Sequence, residues 1–149
     1  MIHLKEVTSE NVFDVCELTT NKDGVGTVME EYLCCNATSI AESKYYPEMH
    51  PKAIYDDDTL IGFFMYRHRA CEPDTATICR FMIDYKFQGR GLGRKSLSSI
   101  LSYFKQADIS KVILMIDDNN TIAKKLYRAF GFTFNGRIEK DEFYYELRL

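Results

Sequence analysis

The sequence predicts a mixed α/β domain whose elements follow the order β α α β β β α β α β β. Two periodicities, and the turns that separate them, carry that prediction. Strand signals include "IHLKEV", which alternates apolar and polar residues, and "KVILMI", a short and nearly continuous apolar run of the kind a buried strand needs. A helical face shows in Leu97, Ile100, Leu101 and Phe104, spaced i, i+3, i+4, i+7. With 149 residues, 46% hydrophobic and 28% charged, the chain is predicted to form one domain, residues 1–149, with a core of its own.

In chain order, the first strand leads into a helix that Thr8 or Ser9 can cap and that carries Val12, Phe13, Val15, Cys16 and Leu18. "TTNKDGVG" breaks it. A second helical stretch is predicted from residue 28 to about 46, ending at Pro47, with a bend or split near residues 36–39, which are poor helix formers. "KAIYDDDTLIGFFMYRHR" reads as a hairpin: strand 53–55, turn 56–58, strand 60–67. Residues 76–84 form another strand, which ends where a glycine loop begins. Beyond the next helix and the "KVILMI" strand, Asn119 or Asn120 can cap a helix whose Ile122, Ala123, Leu126, Ala129 and Phe130 are expected to face the core. Gly131 can end that helix in the left-handed conformation. "FTFNGRIEKDEFYYELRL" closes the chain as a hairpin turning near residues 139–141.

Composition narrows the function classes. The first residues lack a charged segment followed by an apolar run, and no stretch approaches the roughly 18 apolar residues of a membrane span, so a soluble, cytoplasmic protein is expected. Five cysteines (Cys16, Cys34, Cys35, Cys71, Cys79) show neither C-x-x-C spacing nor a histidine cluster, which predicts buried thiols and no metal site. Charge is uneven: residues 1–60 hold 12 acids and 4 bases, and residues 61–149 hold 10 acids and 15 bases. Either these are solvated faces, or one half meets a cation and the other an anion.

The stretch "FQGRGLGRKS" supplies the anion side of that choice. A Walker loop and a dinucleotide fingerprint started at Gly89 both need glycine at position 94, where Arg94 stands. The general physics survives: glycines let the main chain approach an anion, and a helix starting just behind them aims free N–H groups and a positive dipole end at it.

With Gln88, Gly91 and Gly93 in a [QR]-x-x-G-x-[GA] loop, and Asn120, Ala123, Tyr127, Gly131 and Phe132 in "NTIAKKLYRAFGF", the chain resembles the GNAT acetyltransferase superfamily. The resemblance implies the GNAT fold, a mixed, mostly antiparallel central sheet flanked by helices, and acetyl-CoA as cosubstrate with no metal. It further implies that the main chain of Gly89, Arg90, Gly91, Leu92, Gly93 and Arg94 rings the pyrophosphate, with positive charge from Arg90, Arg94 and Lys95. Phe81, Met82 and Ile83 would form the splayed strand that bonds the pantetheine arm, Asn120 would touch that arm while capping its helix, and Tyr127 would protonate the departing thiolate. A homodimer is an expectation of the same kind. No nucleic-acid or membrane partner is expected.

A primary amine has a pKa near 10.4, about that of lysine, so it must lose a proton before attacking the thioester. The sequence does not identify the base, and His3, His50 and His68 lie in no recognisable catalytic context. "SIAESKYYPEMHPKAIYDDDTLIGFFMY" with "RFMIDYKFQGRGLGRK" is similar to the small bacterial spermine/spermidine acetyltransferases of the BltD type. That similarity implies a polyamine acceptor, with Glu30, Glu31, Glu42 and the nearby Tyr45 and Tyr46 as the amine site; the glutamates align only if one continuous helix carries all three. Other acceptors compatible with the fold are an amino sugar, an aminoglycoside or a protein amine. A non-catalytic acyl-CoA or polyamine sensor is the rival from another class.

Overall fold

A computed structural model describes residues 1–149 as β1 (Ile2–Glu6), α1 (Val12–Glu17), α2 (Asn36–Tyr45), β2 (Met49–Asp56), β3 (Thr59–His68), β4 (Thr75–Ile83), α3 (Leu92–Gln106), β5 (Lys111–Asp117), α4 (Thr121–Ala129), β6 (Thr133–Glu139) and β7 (Glu142–Arg148). A single 3₁₀ turn, Tyr85–Phe87, follows β4. The predicted element order holds throughout. The seven strands form one sheet in the order β1, β2, β3, β4, β5, β7, β6. Every neighbouring pair is antiparallel except β4 and β5, which α3 connects as a parallel crossover.

That one parallel pair shapes the molecule. The β4–β5 ladder runs from Thr75 opposite Lys111 to Ile78 opposite Leu114 and stops, while β4 continues to Ile83 and β5 to Asp117. At the point of separation β4 carries a bulge: Met65 of β3 pairs with Arg80 and Tyr66 with Ile78, leaving Cys79 as the extra residue. A bulge bends its strand and strengthens the local twist, which turns β4 away from β5.

Apolar residues cover both faces of the sheet. On one face α3 lays Leu97, Ile100 and Phe104 against Phe64, Val112 and Leu114, all essentially inaccessible to solvent. On the other, α1 and α2 bury Val15, Leu18 and Ile40 against Phe63, Met65 and Met82. The central strand β3 is therefore buried on both sides and reads as a continuous apolar run from Ile61 to Tyr66, interrupted only by Gly62. That glycine is required sterically: a Cβ there would stand 2.4 Å from the carbonyl oxygen of Met82.

Several expectations are corrected. α1 begins only at Val12, with Asn11 at its N-cap position; Thr8 closes the preceding turn instead, its hydroxyl accepting from the Glu10 N–H. The predicted helix over residues 28–46 is helical only from Asn36. Upstream, Met29 bridges Cys34, and the N–H groups of Glu30 and Cys35 donate to the carbonyls of Leu33 and Val28, folding a small hairpin. β2 extends back through Pro51, which can sit in the strand because β1 ends opposite Lys52 and asks for no N–H there. In α4, Ile122 points to solvent at 85% exposure and Ala129 is exposed; Ala123, Leu126, Tyr127 and Phe130 face inward. None of the cysteines is fully buried, and Cys71 is exposed.

Candidate active site

Two features meet at the open ends of β4 and β5. The first is the loop leading into α3. Gln88 donates from its side-chain amide to the carbonyl of Ile83 at 2.9 Å, pinning the loop to the end of β4. Gly89 and Gly91 then take φ of +75° and +74°, where an L side chain is strained, and the space a Cβ would occupy is open. The backbone N–H groups of Gly89, Arg90, Gly91, Leu92, Gly93 and Arg94 donate to no acceptor in the protein; the first N–H of this region to find one is Lys95, bonded to Gly91. These donors line up at the positive end of a 15-residue helix. Arg90, Arg94 and Lys95 take part in no ion pair, and the two guanidinium groups rest on the rings of Phe87 and Phe130. Such a run of free donors flanked by free cations suits a polyanion.

The second feature is a groove of about 350 Å³ in the gap between the strands. Its walls come from Phe81 on β4, Leu114 and Ile116 on β5, and Asn120, Ala123 and Tyr127 on α4. Asn120 caps α4, its side-chain oxygen accepting from the Ala123 N–H at 3.1 Å. Tyr127 is 8% exposed and its hydroxyl makes no hydrogen bond within the chain; burial alone pushes the phenol pKa well above its ordinary value. The phenol thus stays protonated, with its donor free. Met82 and Ile83 are more buried than Phe81 and line no part of the groove: Met82 packs into the α1/α2 core and pairs with Phe63 of β3, and Ile83 packs into the α3 core with its carbonyl held by Gln88.

The five acceptor-site expectations fare differently. Glu30 is off any helix and 8% exposed, its carboxylate accepting from the Thr19 hydroxyl (2.7 Å), the Thr20 N–H (2.8 Å) and the Thr20 hydroxyl. It ties the loop before α2 to residue 19, whose N–H in turn donates to the buried Asp84 carboxylate at the end of β4. Glu42, on α2, is paired with Arg80 at 3.4 Å. Tyr46 caps the C-terminal end of α2 and is exposed, as is Tyr45. The continuous helix that would have aligned the glutamates is absent, because residues 28–35 form the small hairpin. None of these residues lines the groove; Glu42 adjoins it through Arg80, and Glu31 through Tyr32, which lines the mouth and reaches the carbonyl of Asn119 at 3.5 Å. Loss of hydration first, then the Glu31 and Asp117 carboxylates, raises the Tyr32 phenol pKa.

Sequence reasoning missed three charged groove residues: Arg80, Asp117 and Glu142. Asp117 lies three residues before Asn120, a signal available in the sequence. Glu142 reaches the groove only through the β5–β7 pairing, which no local pattern announces.

Much of the acidity of the first 60 residues is engaged internally. Asp56 and Asp57 hold the N-terminal ammonium at 3.1 and 2.7 Å, and Glu6 pairs with Lys52. Asn120 offers a separable test of cap against contact. Asn120→Asp should keep the cap, and so the stability, because aspartate caps as well as asparagine. It should weaken coenzyme A binding by removing the amide donor and adding negative charge; unchanged affinity would leave Asn120 with the cap alone.

Comparison with known proteins agrees with this geometry. Residues 22–132 match the family model described as Acetyltransferase (GNAT) family. The chain is 29% identical over 144 residues to the spermine/spermidine N(1)-acetyltransferase of Bacillus subtilis (strain 168), covering 93% of this chain and 91% of that protein. Among solved structures, an acetyltransferase from Thermus thermophilus superposes with a TM-score of 0.76 at 18% identity, over 100% of this chain and 97% of that one. PaiA N-acetyltransferase from Thermoplasma acidophilum, in complex with coenzyme A, superposes with a TM-score of 0.69 at 16% identity, over 100% of this chain and 99% of that one. With its sheet parting at β4 and β5 and a donor-lined loop at the parting, the chain belongs to the GNAT acetyltransferase family.

Proposed function

We propose that this acetyltransferase transfers the acetyl group of acetyl-CoA to a primary amine of a polyamine such as spermidine or spermine, by direct attack. The observation that carries the cosubstrate assignment is the run of unpaired N–H groups from Gly89 to Arg94, at the point where β4 leaves β5. That cradle fits a pyrophosphate, and the open space at Gly89 and Gly91 lets it approach the main chain. Acetyl-CoA supplies a thioester carbon open to an amine. Arg90, Arg94 and Lys95 add charge around the phosphates. The edge of β4 at Phe81, released from the β5 ladder, would bond the arm of the cosubstrate through main chain, while Met82 pairs with Phe63 of β3 and the Ile83 carbonyl accepts from Gln88.

In the reaction the amine forms a C–N bond as the C–S bond breaks. The ammonium form gives one proton to a base or to water before attack, Tyr127 donates its proton to the departing sulfur, and the second proton, released by the new amide nitrogen, restores the Tyr127 phenol. Apolar groove walls such as Phe81, Leu114 and Ile116 favour the free amine over the ammonium form near the reacting nitrogen.

Support for the polyamine comes from the similarity to the Bacillus subtilis spermine/spermidine enzyme along most of both chains, and from carboxylates at the groove mouth. Release of free thiol from acetyl-CoA, followed across spermidine, spermine, monoamines, an amino sugar and a peptide amine, tests the reading. Spermidine or spermine should show the highest kcat/KM. Equal use of monoamines would sink the polyamine assignment, and cofactor binding with no thiol release for any amine would favour a sensor.

A further inference from the structure

We infer that Asp117 and Glu142 together form the subsite for the distal ammonium group of the acceptor, at the mouth of the β4–β5 groove; this rests on the polyamine reading above. The two residues are direct partners across the antiparallel β5–β7 ladder, and both line the groove. Like charges placed directly opposite each other on a sheet repel, at a cost of a few tenths to about 1 kcal/mol. Neither carboxylate is paired with a Lys or Arg of the chain. The Asp117 carboxylate accepts only the Asn119 N–H, at 2.8 Å, and that of Glu142 makes no hydrogen bond. A bound cation would relieve the repulsion and use the free acceptor positions.

Apposed like charges are not enough by themselves, since Lys111 faces Arg148 at the far end of the same strand pair without lining the groove. What distinguishes Asp117 and Glu142 is that their groove also holds Tyr127, a polar side chain 8% exposed whose hydroxyl has no partner. An acceptor with its reacting nitrogen at Tyr127 would therefore extend toward the two carboxylates. Glu31, beside Tyr32 on the facing loop, adds a third negative charge at the same mouth. Glu42 offers less to such a ligand, because Arg80 already neutralises it.

The chemistry recognised is an alkylamine bearing a second cationic centre, so loss of the carboxylates should affect polyamines and spare monoamines. The test compares wild type with Asp117→Asn, Glu142→Gln and the double variant, using spermidine and propylamine as acceptors. Asparagine at 117 retains an acceptor for the Asn119 N–H, and position 142 is exposed, so folding should be preserved; thermal stabilisation by coenzyme A checks each variant. The double variant should raise the spermidine KM roughly tenfold, with kcat, the propylamine KM and the acetyl-CoA KM unchanged. A wild type that prefers spermidine, combined with a double variant whose spermidine KM is unaltered, would overturn this subsite and leave the polyamine reading standing. A wild type indifferent to the second charge would overturn both.

Discussion

Replacing Tyr127 with phenylalanine should lower turnover by about 10²-fold and leave coenzyme A affinity nearly unchanged. The phenol is buried in an apolar wall, its hydroxyl is free of protein partners, and its pKa is raised by desolvation. Such a group keeps its proton at every pH where an amine can act as a nucleophile. The rate should accordingly climb with pH as the amine deprotonates, with no fall below about pH 10 from loss of the tyrosine proton. Phenylalanine removes only one oxygen from a pocket that gives it no bond, so the variant should be as stable as wild type or slightly more so. An unchanged kcat would remove Tyr127 from the proton-donor role, and an unstable variant would show that the hydroxyl has a structural partner.

The second large effect concerns Gly62, which lines no part of the groove. Alanine there would bring its Cβ to 2.4 Å from the Met82 carbonyl oxygen, a main-chain atom that cannot swing aside. β3 and β4 must separate at the Gly62–Ile83 pair, and Ile83 is the residue whose carbonyl receives Gln88 and so fixes the phosphate-side loop. Gly62→Ala should cost about 3 kcal/mol, or roughly 10 °C in melting temperature, and should also weaken coenzyme A binding. A melting temperature within about 2 °C of wild type would mean the strands part there without consequence. No sequence pattern pointed to Gly62, which reads as one weak residue in a strong strand.

The fold was legible wherever local pattern and tertiary environment agree. The hairpin at residues 56–58, the buried face of α3 and the left-handed Gly131 all follow from residues near in sequence. The segment before α2 was misread because Met29, Leu33 and Ile40 imitate a helix face. In the folded chain Val28 and Met29 are mostly exposed, while Asn36 donates to the Val15 carbonyl, a contact between elements that helical spacing cannot express. Ile122 failed for a similar reason. α4 is rotated so that Tyr127 lies inward, and the most apolar residue of its first turn is left outside. The glycine loop was readable as a candidate anion site because its glycines and basic residues are contiguous. The Asp117–Glu142 pair was not, because the two meet only through the pairing of two strands.

The loop from Gly89 to Arg94 makes its donors from main chain, whereas the charged groups at the groove mouth are side chains. On the proposed reading, most point substitutions therefore cannot erase the phosphate grip, but any of several can redraw the mouth. Retargeting this scaffold to a new amine is accordingly a problem of a few positions on β5, β7 and the hairpin before α2, with the nucleotide end left as a fixed handle for purification, probe attachment or inhibitor design.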